Sequence, residues 1–320
     1  MIQQFGATDN YNTEYTERLH IDLAKDAYRA TNHKDEYSQM TAWLERQEKM
    51  VWHLNYIRWR TSPDNQPVEP IRCPSMQYLR EFKMTKHPSV KAVPIDRVVE
   101  SYGAQHFRAA LARFVVLQTR PNARSHAQIE REAEHVHFPF TSVPVYHKIK
   151  YNMVDSQGRK DLSTTIDAVH VKPQGKDSRG RTIPGRFDTV LVNVGDGGER
   201  GVQGYRVAQV RVVFSIPRHS RNQLLPPHLG IAEHLAYVEW FTPFTVPNPI
   251  HGMYKVSRSR LHGDRLASII PVTNIRRSVH LIPKFGRVAP REWTSSTVLE
   301  VCNDFLVNPF TDRHAYLTIL

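Results

Sequence analysis

The sequence contains only two cysteines, Cys73 and Cys302, and no metal-ligand spacing surrounds either of them. This excludes a secreted scaffold held by several disulfides and indicates free thiols in a reducing compartment. The sequence also lacks an apolar run near the roughly 20 residues that a membrane-spanning helix needs, and residues 1–12 lack the pattern of a secretory signal. We therefore expect a nuclear or cytosolic protein with no membrane partner.

Negative charge is also scarce, since 31 Asp/Glu stand against 43 Lys/Arg and the formal net charge is +12. Most of the excess lies in residues 141–320, where 24 Lys/Arg stand against 14 Asp/Glu. A basic excess at one end of a chain indicates a polyanionic partner, most often nucleic acid. A basic protein kept soluble by its charge is the alternative, and charge alone does not choose between them.

Signatures of nucleotide, metal and acyl-transfer chemistry are missing. The glycines between Gly195 and Gly201 lack the Lys-Ser/Thr end of a phosphate loop and predict a hairpin turn. His135 and His137 have no further ligand at a compatible spacing, and no Gly-x-Ser-x-Gly or nucleophilic cysteine pattern is present. The sequence thus predicts no cofactor and no metal site.

Apolar periodicity divides the chain into helical and β-rich parts. Spacing of three and four residues predicts helices over residues 13–31 and 36–60, four prolines then interrupt the pattern, and another helix follows Pro94. A short polar helix is expected over residues 127–134. The predicted organisation is a helical segment at 1–60, a proline-rich linker at 61–93, a helical middle at 94–137 and a basic β-rich domain at 138–320.

From Phe138 onward, short runs of β-forming residues alternate with turn residues. Many short strands without intervening helices favour antiparallel sheets. The expected fold class is therefore α+β, with an antiparallel, barrel-like C-terminal domain. We expect its core to include Val207, Val210 or Val213, Val238, Trp240 and Ile270, while the run TSSTVLEVCNDFLVN fits either a strand or a helix.

Two basic loops are candidates for contact with a phosphate backbone. The first contains Lys172, Lys176, Arg179, Arg181 and Arg186 against a single acid, Asp177, on a frame rich in glycine and proline. The second contains Lys255, Arg258, Arg260 and Arg265. The alternative is that both loops are simply solvated.

The first predicted helix carries Glu17 and His20 on one face. A two-metal site for phosphoryl transfer needs several carboxylates from different elements. The rest of the sequence offers no matching aspartates on a parallel β-scaffold, so Glu17 stands alone as a candidate acid.

The order Thr16-Glu17-x-x-His20-Ile21-x-x-x-Lys25-x-x-Tyr28-Arg29, followed by Gln39-Met40, resembles the C-terminal part of Plavaka-type transposases, which belong to the CACTA-like transposons of fungi. The runs HLAYVEWFTPF, SIIPVTNIRRSVHLIPKFG and NPFTDRHAY resemble the terminal region of the same proteins. Together these matches span nearly the whole chain. The strand-like run RVAQVRVVFSI before AYVEWF is also similar to barrels of the bromo-adjacent-homology type in chromatin proteins.

The transposase resemblance implies an RNase H-like core with an Asp-Asp-Glu triad upstream of the matched part, and Glu17 as the candidate for its last acid. The expected function is that of a non-catalytic, transposase-derived remnant in the nucleus. It would bind duplex DNA or chromatin, or assemble with a parent transposase. Two alternatives remain open: a nuclease-like enzyme that uses Glu17, and a peptide-binding module with Trp240 or Tyr237 in an exposed aromatic cage.

Overall fold

The computed structural model of the chain describes residues 24–61, 80–120, 125–153, 165–198, 201–286 and 288–319. It shows a mixed α and β protein with antiparallel sheets. The helices are α1 (Asp26–Arg29), α2 (Glu36–Thr61), α3 (Ile95–Tyr102), α4 (Phe107–Thr119), α5 (His126–Ala133), α6 (Arg218–Leu224), α7 (Val298–Val301) and α8 (Arg313–Ile319). The strands are β1 (Arg80–Lys83), β2 (Val90–Pro94), β3 (Ser142–Tyr146), β4 (Lys148–Met153), β5 (Thr165–Lys172), β6 (Gly175–Lys176), β7 (Thr182–Ile183), β8 (Arg186–Phe187), β9 (Thr189–Asn193), β10 (Tyr205–Ser215), β11 (His234–Trp240), β12 (Lys255–Ser257), β13 (Arg260–Leu261), β14 (Asp264–Arg265), β15 (Ala267–Pro271), β16 (Ile275–Ser278), β17 (His280–Pro283) and β18 (Asp304–Asn308).

The helix predicted over residues 36–60 is confirmed as α2, which is 26 residues long. None of its side chains is buried against the described residues, and Trp52 is 70 % exposed. The helix predicted over residues 13–31 is described only from residue 24, so most of it lies outside the described residues. Neither α2 nor any other helix in the described ranges is long and apolar enough to span a bilayer.

A seven-stranded antiparallel sheet forms the centre of the fold. The main path through it runs β15-β11-β10-β3-β2, and β9 pairs with both β10 and β16. A bulge between Val210 and Val212 changes the phase of β10, so Val210 and Val213 lie on the same face. Arg211 is the extra residue at this bulge, so its side chain does not follow the regular alternation between the two faces of β10.

The central sheet is covered on both faces. On one face, α3 and α4 pack Val98, Phe107 and Leu111 against Phe214 and Tyr237. On the other face, a second sheet contributes aromatic and branched side chains from β4 and β5, among them Tyr151 and Val169. All the predicted core residues are buried, which confirms them: Val207, Val210, Val213, Val238, Trp240 and Ile270.

The second sheet has the order β1-β4-β5-β8. Its inner face carries Phe82, Ile149, Tyr151, Val169 and Val171, all of which pack into the shared core. Its outer face is turned away from that core. This orientation decides which polar side chains of the four strands reach solvent.

A third sheet, β12-β18-β17, packs with the C-terminal helices around Phe241 and Phe305. The run TSSTVLEVCNDFLVN contains both of the elements left open by the sequence, since α7 ends at Val301 and β18 begins at Asp304. The predicted glycine turn is confirmed, because β9 and β10 pair as antiparallel neighbours on either side of it. Gly204 has a φ of 75° and a Cβ there would lie 2.5 Å from the nitrogen of Gly197, so glycine is required at this position.

Two features differ from the predicted organisation. Strand β1 and all but the last residue of β2 lie within the segment expected to be a linker, 61–93, and these strands pair with β4 and β3. The helical middle packs directly on the β-rich part, so these two segments share one core. The sheets of the described residues do not close into a ring, and a barrel is therefore not observed.

Candidate functional site

The outer face of the second sheet is strongly basic. In β4, buried Ile149 and Tyr151 alternate with Lys148 and Lys150, which therefore lie on the opposite, outer face. In β5, buried Val169 and Val171 alternate with outward residues that end at Lys172. We call the outward cations of these four strands the basic face: Lys83, Lys148, Lys150, Lys172 and Arg186.

Strand pairing places cations of this face directly opposite one another. Lys83 pairs with Lys150 across β1 and β4, and Lys172 pairs with Arg186 across β5 and β8. Like charges at directly opposed positions of a sheet destabilise it. The fold nevertheless keeps two such pairs on one face, which favours a role for the charge itself.

The hairpin formed by β6 and β7 extends the basic surface beyond the sheet. Its tip is an ordered turn in which the carboxylate of Asp177 accepts hydrogen bonds from the backbone nitrogens of Arg179 and Arg181, both at 2.8 Å. Gly180 adopts a φ of 77°, which closes the turn. The Asp177 carboxylate therefore binds backbone nitrogens, and the side chains of Arg179 and Arg181 are exposed. We call Lys176, Arg179 and Arg181 the hairpin tip.

Lys172 and Arg186 of the first predicted loop thus share a sheet face with the lysines of β1 and β4, which the sequence analysis did not nominate. Arg186 forms an ion pair with Asp188 at 2.8 Å. Within the described ranges, no ion pair is formed by the other four residues of the predicted loop, Lys172, Lys176, Arg179 and Arg181. The run HKIKYN did carry a signal, because its period-two alternation places Lys148 and Lys150 on the same face of a strand.

The second predicted cluster does not form an exposed basic surface. Lys255 is paired with Asp304 at 2.8 Å, and Arg260 is exposed at the β13–β14 hairpin, where it donates to the carbonyl of Gly263. Arg258 is buried, with its side chain only 3 % exposed. Arg265 is turned inward onto two glutamates. The expectation that these four residues contact DNA together is therefore corrected.

Instead, Arg258 and Arg265 join Arg211 in a network that we call the arginine cluster. Nη2 of Arg211 donates to Glu239 at 3.1 Å and to Glu300 at 2.7 Å. Nη1 of Arg265 lies 2.9 Å from Glu239 and 2.7 Å from Glu300. Arg258 donates to the carbonyl of Leu299 at 2.6 Å and lies 3.7 Å from Glu239.

Burial and charge act against each other in the pKa values of this cluster. Burial, reinforced by the neighbouring Arg265, lowers the pKa of Arg258 to about 10. Burial alone would raise the pKa of Glu300, but Arg211 and Arg265 outweigh it and hold that pKa below its usual value. Arg258 and Glu300 are thus both charged near neutral pH, in a cluster where three guanidinium groups face two carboxylates.

The aromatic residues proposed for an exposed cage are in the core instead. Tyr237 packs beside Phe107, and burial raises its pKa to about 12. Trp240 is 7 % exposed, and its Nε1 donates to the hydroxyl of Ser268 at 2.7 Å. Neither side chain is available to bind a peptide in the way that this alternative requires.

The candidate acid Glu17 lies outside the described residues. Among the described residues, no group of three or more His, Cys, Asp and Glu side chains could hold a metal ion. What the described residues do form is a basic surface, in which a sheet face and a hairpin expose Lys and Arg side chains.

Comparison with known proteins places the chain in a family. The model of a domain of unknown function (DUF6830) matches residues 58–259, which is more than half of the sequence. No curated protein and no solved structure matches the chain. The matched range contains all of the basic face and the hairpin tip. The chain therefore belongs to the DUF6830 family.

Proposed function

We propose that this chain is a nucleic-acid-binding module that holds duplex DNA by its phosphate backbone. The observation that carries the proposal is the exposed basic face, whose strands β5 and β8 are joined by the hairpin that carries the hairpin tip. Each cation that neutralises a phosphate releases a counterion, so such a surface gains affinity without reading sequence.

The composition of the face favours backbone contact over the other modes of nucleic-acid binding. Ile166, Ala168 and His170 accompany the cations on β5, and we find no Phe, Tyr or Trp on the outer positions of the described parts of β4 and β5. Binding of single strands commonly relies on stacking of bases on such aromatic rings. Base readout in the major groove relies on an inserted helix or ribbon. Weak binding with little sequence preference is expected.

The ancestry and the cellular site belong to the same proposal. The resemblance of the sequence to Plavaka-type transposases supports a transposase-derived protein that works in the nucleus on DNA or chromatin, or together with a parent transposase. Recovery of the tagged chain from nuclear chromatin, released by rising salt, is the expected result. A purely cytosolic distribution would contradict this part.

The binding proposal is tested by fluorescence anisotropy with a labelled duplex over a series of salt concentrations. We expect a triple variant of the basic face, Lys148→Gln, Lys150→Gln and Lys172→Gln, to lose most of the affinity at low salt. The matched control removes the same charge elsewhere, at exposed Arg46, Lys284 and Arg291. Equal losses in both variants would show that only net charge matters, and the proposal would fail.

A further inference from the structure

The arginine cluster is built from distant parts of the chain. Arg211 lies at the bulge of β10, Arg258 follows β12 and Arg265 lies in β14. Two rings hold the guanidinium groups in place, since Arg211 lies 5.2 Å from the ring centroid of Phe187 and Arg258 lies 4.4 Å from that of Phe241. Bulges commonly redirect a side chain near functional sites, and stacked guanidinium groups are preorganised for binding anions.

The cluster contains three guanidinium groups and only two carboxylates, so a positive charge is left over. Glu239 is 4 % exposed on its side chain and faces all three guanidinium groups. Within the described residues, Nε of Arg211 and both Nε and Nη1 of Arg258 are buried without a hydrogen bond. Buried donors without partners are costly, and their retention favours a further role for the cluster.

Glu300, the second carboxylate, differs from Glu239 in its setting. It comes from α7, which is only four residues long, and its side chain is 40 % exposed. Its two carboxylate oxygens bridge Arg211 and Arg265, each at 2.7 Å. A carboxylate held between two arginines at the solvent edge occupies the place that an external oxyanion would take.

We propose that the arginine cluster is a binding site for a phosphate-class oxyanion, and that the carboxylate of Glu300 competes with this ligand for Arg211 and Arg265. Without Glu300, three guanidinium groups face Glu239 alone, and the excess of two charges matches a phosphate dianion. Arg211 and Arg265 supply the hydrogen-bond donors for the anion, while buried Arg258 adds positive charge. The site is formed by residues other than those of the basic face and does not depend on the proposed function.

The proposal is tested by isothermal titration calorimetry of the full chain with inorganic phosphate. We expect Glu300→Gln to bind phosphate at least tenfold more tightly than the wild type, because the internal competitor is neutral. Glu292→Gln, which removes an exposed carboxylate from the segment that precedes α7, should behave like the wild type. Adding Arg265→Gln to Glu300→Gln should abolish the gain. A triple variant of the basic face should keep it.

A second arm distinguishes the source of the phosphate. Short oligonucleotides with a 5′-phosphate or a 5′-hydroxyl are compared with inorganic phosphate, and preference for the 5′-phosphate would identify a nucleic-acid end as the ligand. If Glu300→Gln does not fold, the side-chain Nε–H signals of the wild-type arginines are followed by NMR during the phosphate titration. Equal phosphate affinity in the Glu300 and Glu292 variants, or unmoved arginine signals, would overturn the proposal.

Discussion

Lys150 lies directly opposite Lys83 across the β1–β4 pair, on the face of the sheet that is turned away from the core. Lys172 and Arg186 repeat this arrangement across β5 and β8. Asp188 forms an ion pair with Arg186 in the second pair, whereas the opposition of Lys83 and Lys150 costs on the order of 0.2–1 kcal/mol. A bound polyanion would convert this repulsion into attraction, so the same residues that weaken the free protein strengthen its complex.

The first prediction follows from this opposition. Replacing Lys150 by Glu places a carboxylate opposite Lys83, and the free energy of unfolding should rise by about 0.5 kcal/mol. Affinity for duplex DNA should fall in the same variant. Urea denaturation and fluorescence anisotropy measure the two effects, with Arg291→Glu, an exposed site away from the sheet, as the control. A variant that is less stable and binds equally well would refute the role of this pair.

The hairpin allows a separate test of backbone binding. Neutralising Lys172, Lys176, Arg179 and Arg181 should flatten the slope of log affinity against log salt by about 0.9 for each phosphate that the variant no longer neutralises. The backbone bonds of Asp177 keep the turn in place, because they do not use these side chains. An unchanged slope would mean that the hairpin is only solvated.

Trp240 tests the core. Trp240→Ala should lower the free energy of unfolding by about 3–5 kcal/mol, since it leaves a cavity and removes the bond to Ser268. Trp52→Ala is the matched control, because this side chain is 70 % exposed on α2. It should change stability by less than about 0.5 kcal/mol. Denaturant unfolding followed by circular dichroism compares the two variants, and similar values would contradict the observed burial.

Catalysis is predicted to be absent. Cleavage and strand transfer need metal ions held by several carboxylates that stabilise the entering and leaving oxygens, and Glu17 is the single acid that the sequence nominates. Supercoiled DNA incubated with the purified chain and Mg²⁺ or Mn²⁺ should stay intact on a gel. Nicking that vanishes in Glu17→Gln would establish the nuclease alternative.

Acid stability should depend on Asp312. This carboxylate binds Nη2 of buried Arg277 and accepts from the backbone of Ala315. Burial would raise the pKa of Asp312, but Arg277 outweighs it and lowers that pKa. A carboxyl group with a depressed pKa stabilises the fold at pH values above its unfolded pKa, near 4. This stabilisation is lost as the pH falls through the folded pKa.

Asp312→Asn should therefore cost about 2 kcal/mol at neutral pH, because it leaves the guanidinium of Arg277 without a carboxylate. The difference between variant and wild type should begin to shrink below about pH 4, where the unfolded carboxyl is protonated, and should be smallest below the lowered pKa of the folded wild type. Urea denaturation at several pH values measures this convergence. A difference that stays constant with pH would show that charge is not the cause.

Local patterns were sufficient wherever a structure depends on neighbours in the sequence. The three- and four-residue spacing predicted α2, the glycines predicted the turn between β9 and β10, and apolar alternation predicted buried residues such as Val207 and Val238. These features follow from backbone geometry over a few residues, which the sequence specifies directly.

The sites depended on pairing between distant segments, which only the tertiary structure decides. The sequence indicates that Arg258 is an exposed residue of a basic loop. It is buried because Glu239 and Leu299 approach it from other elements. Lys83 gains its place on the basic face only because β1 pairs with β4, a strand far along the chain. A cation's neighbours in space determine whether it is neutralised or exposed, and alternation within one strand cannot reveal them.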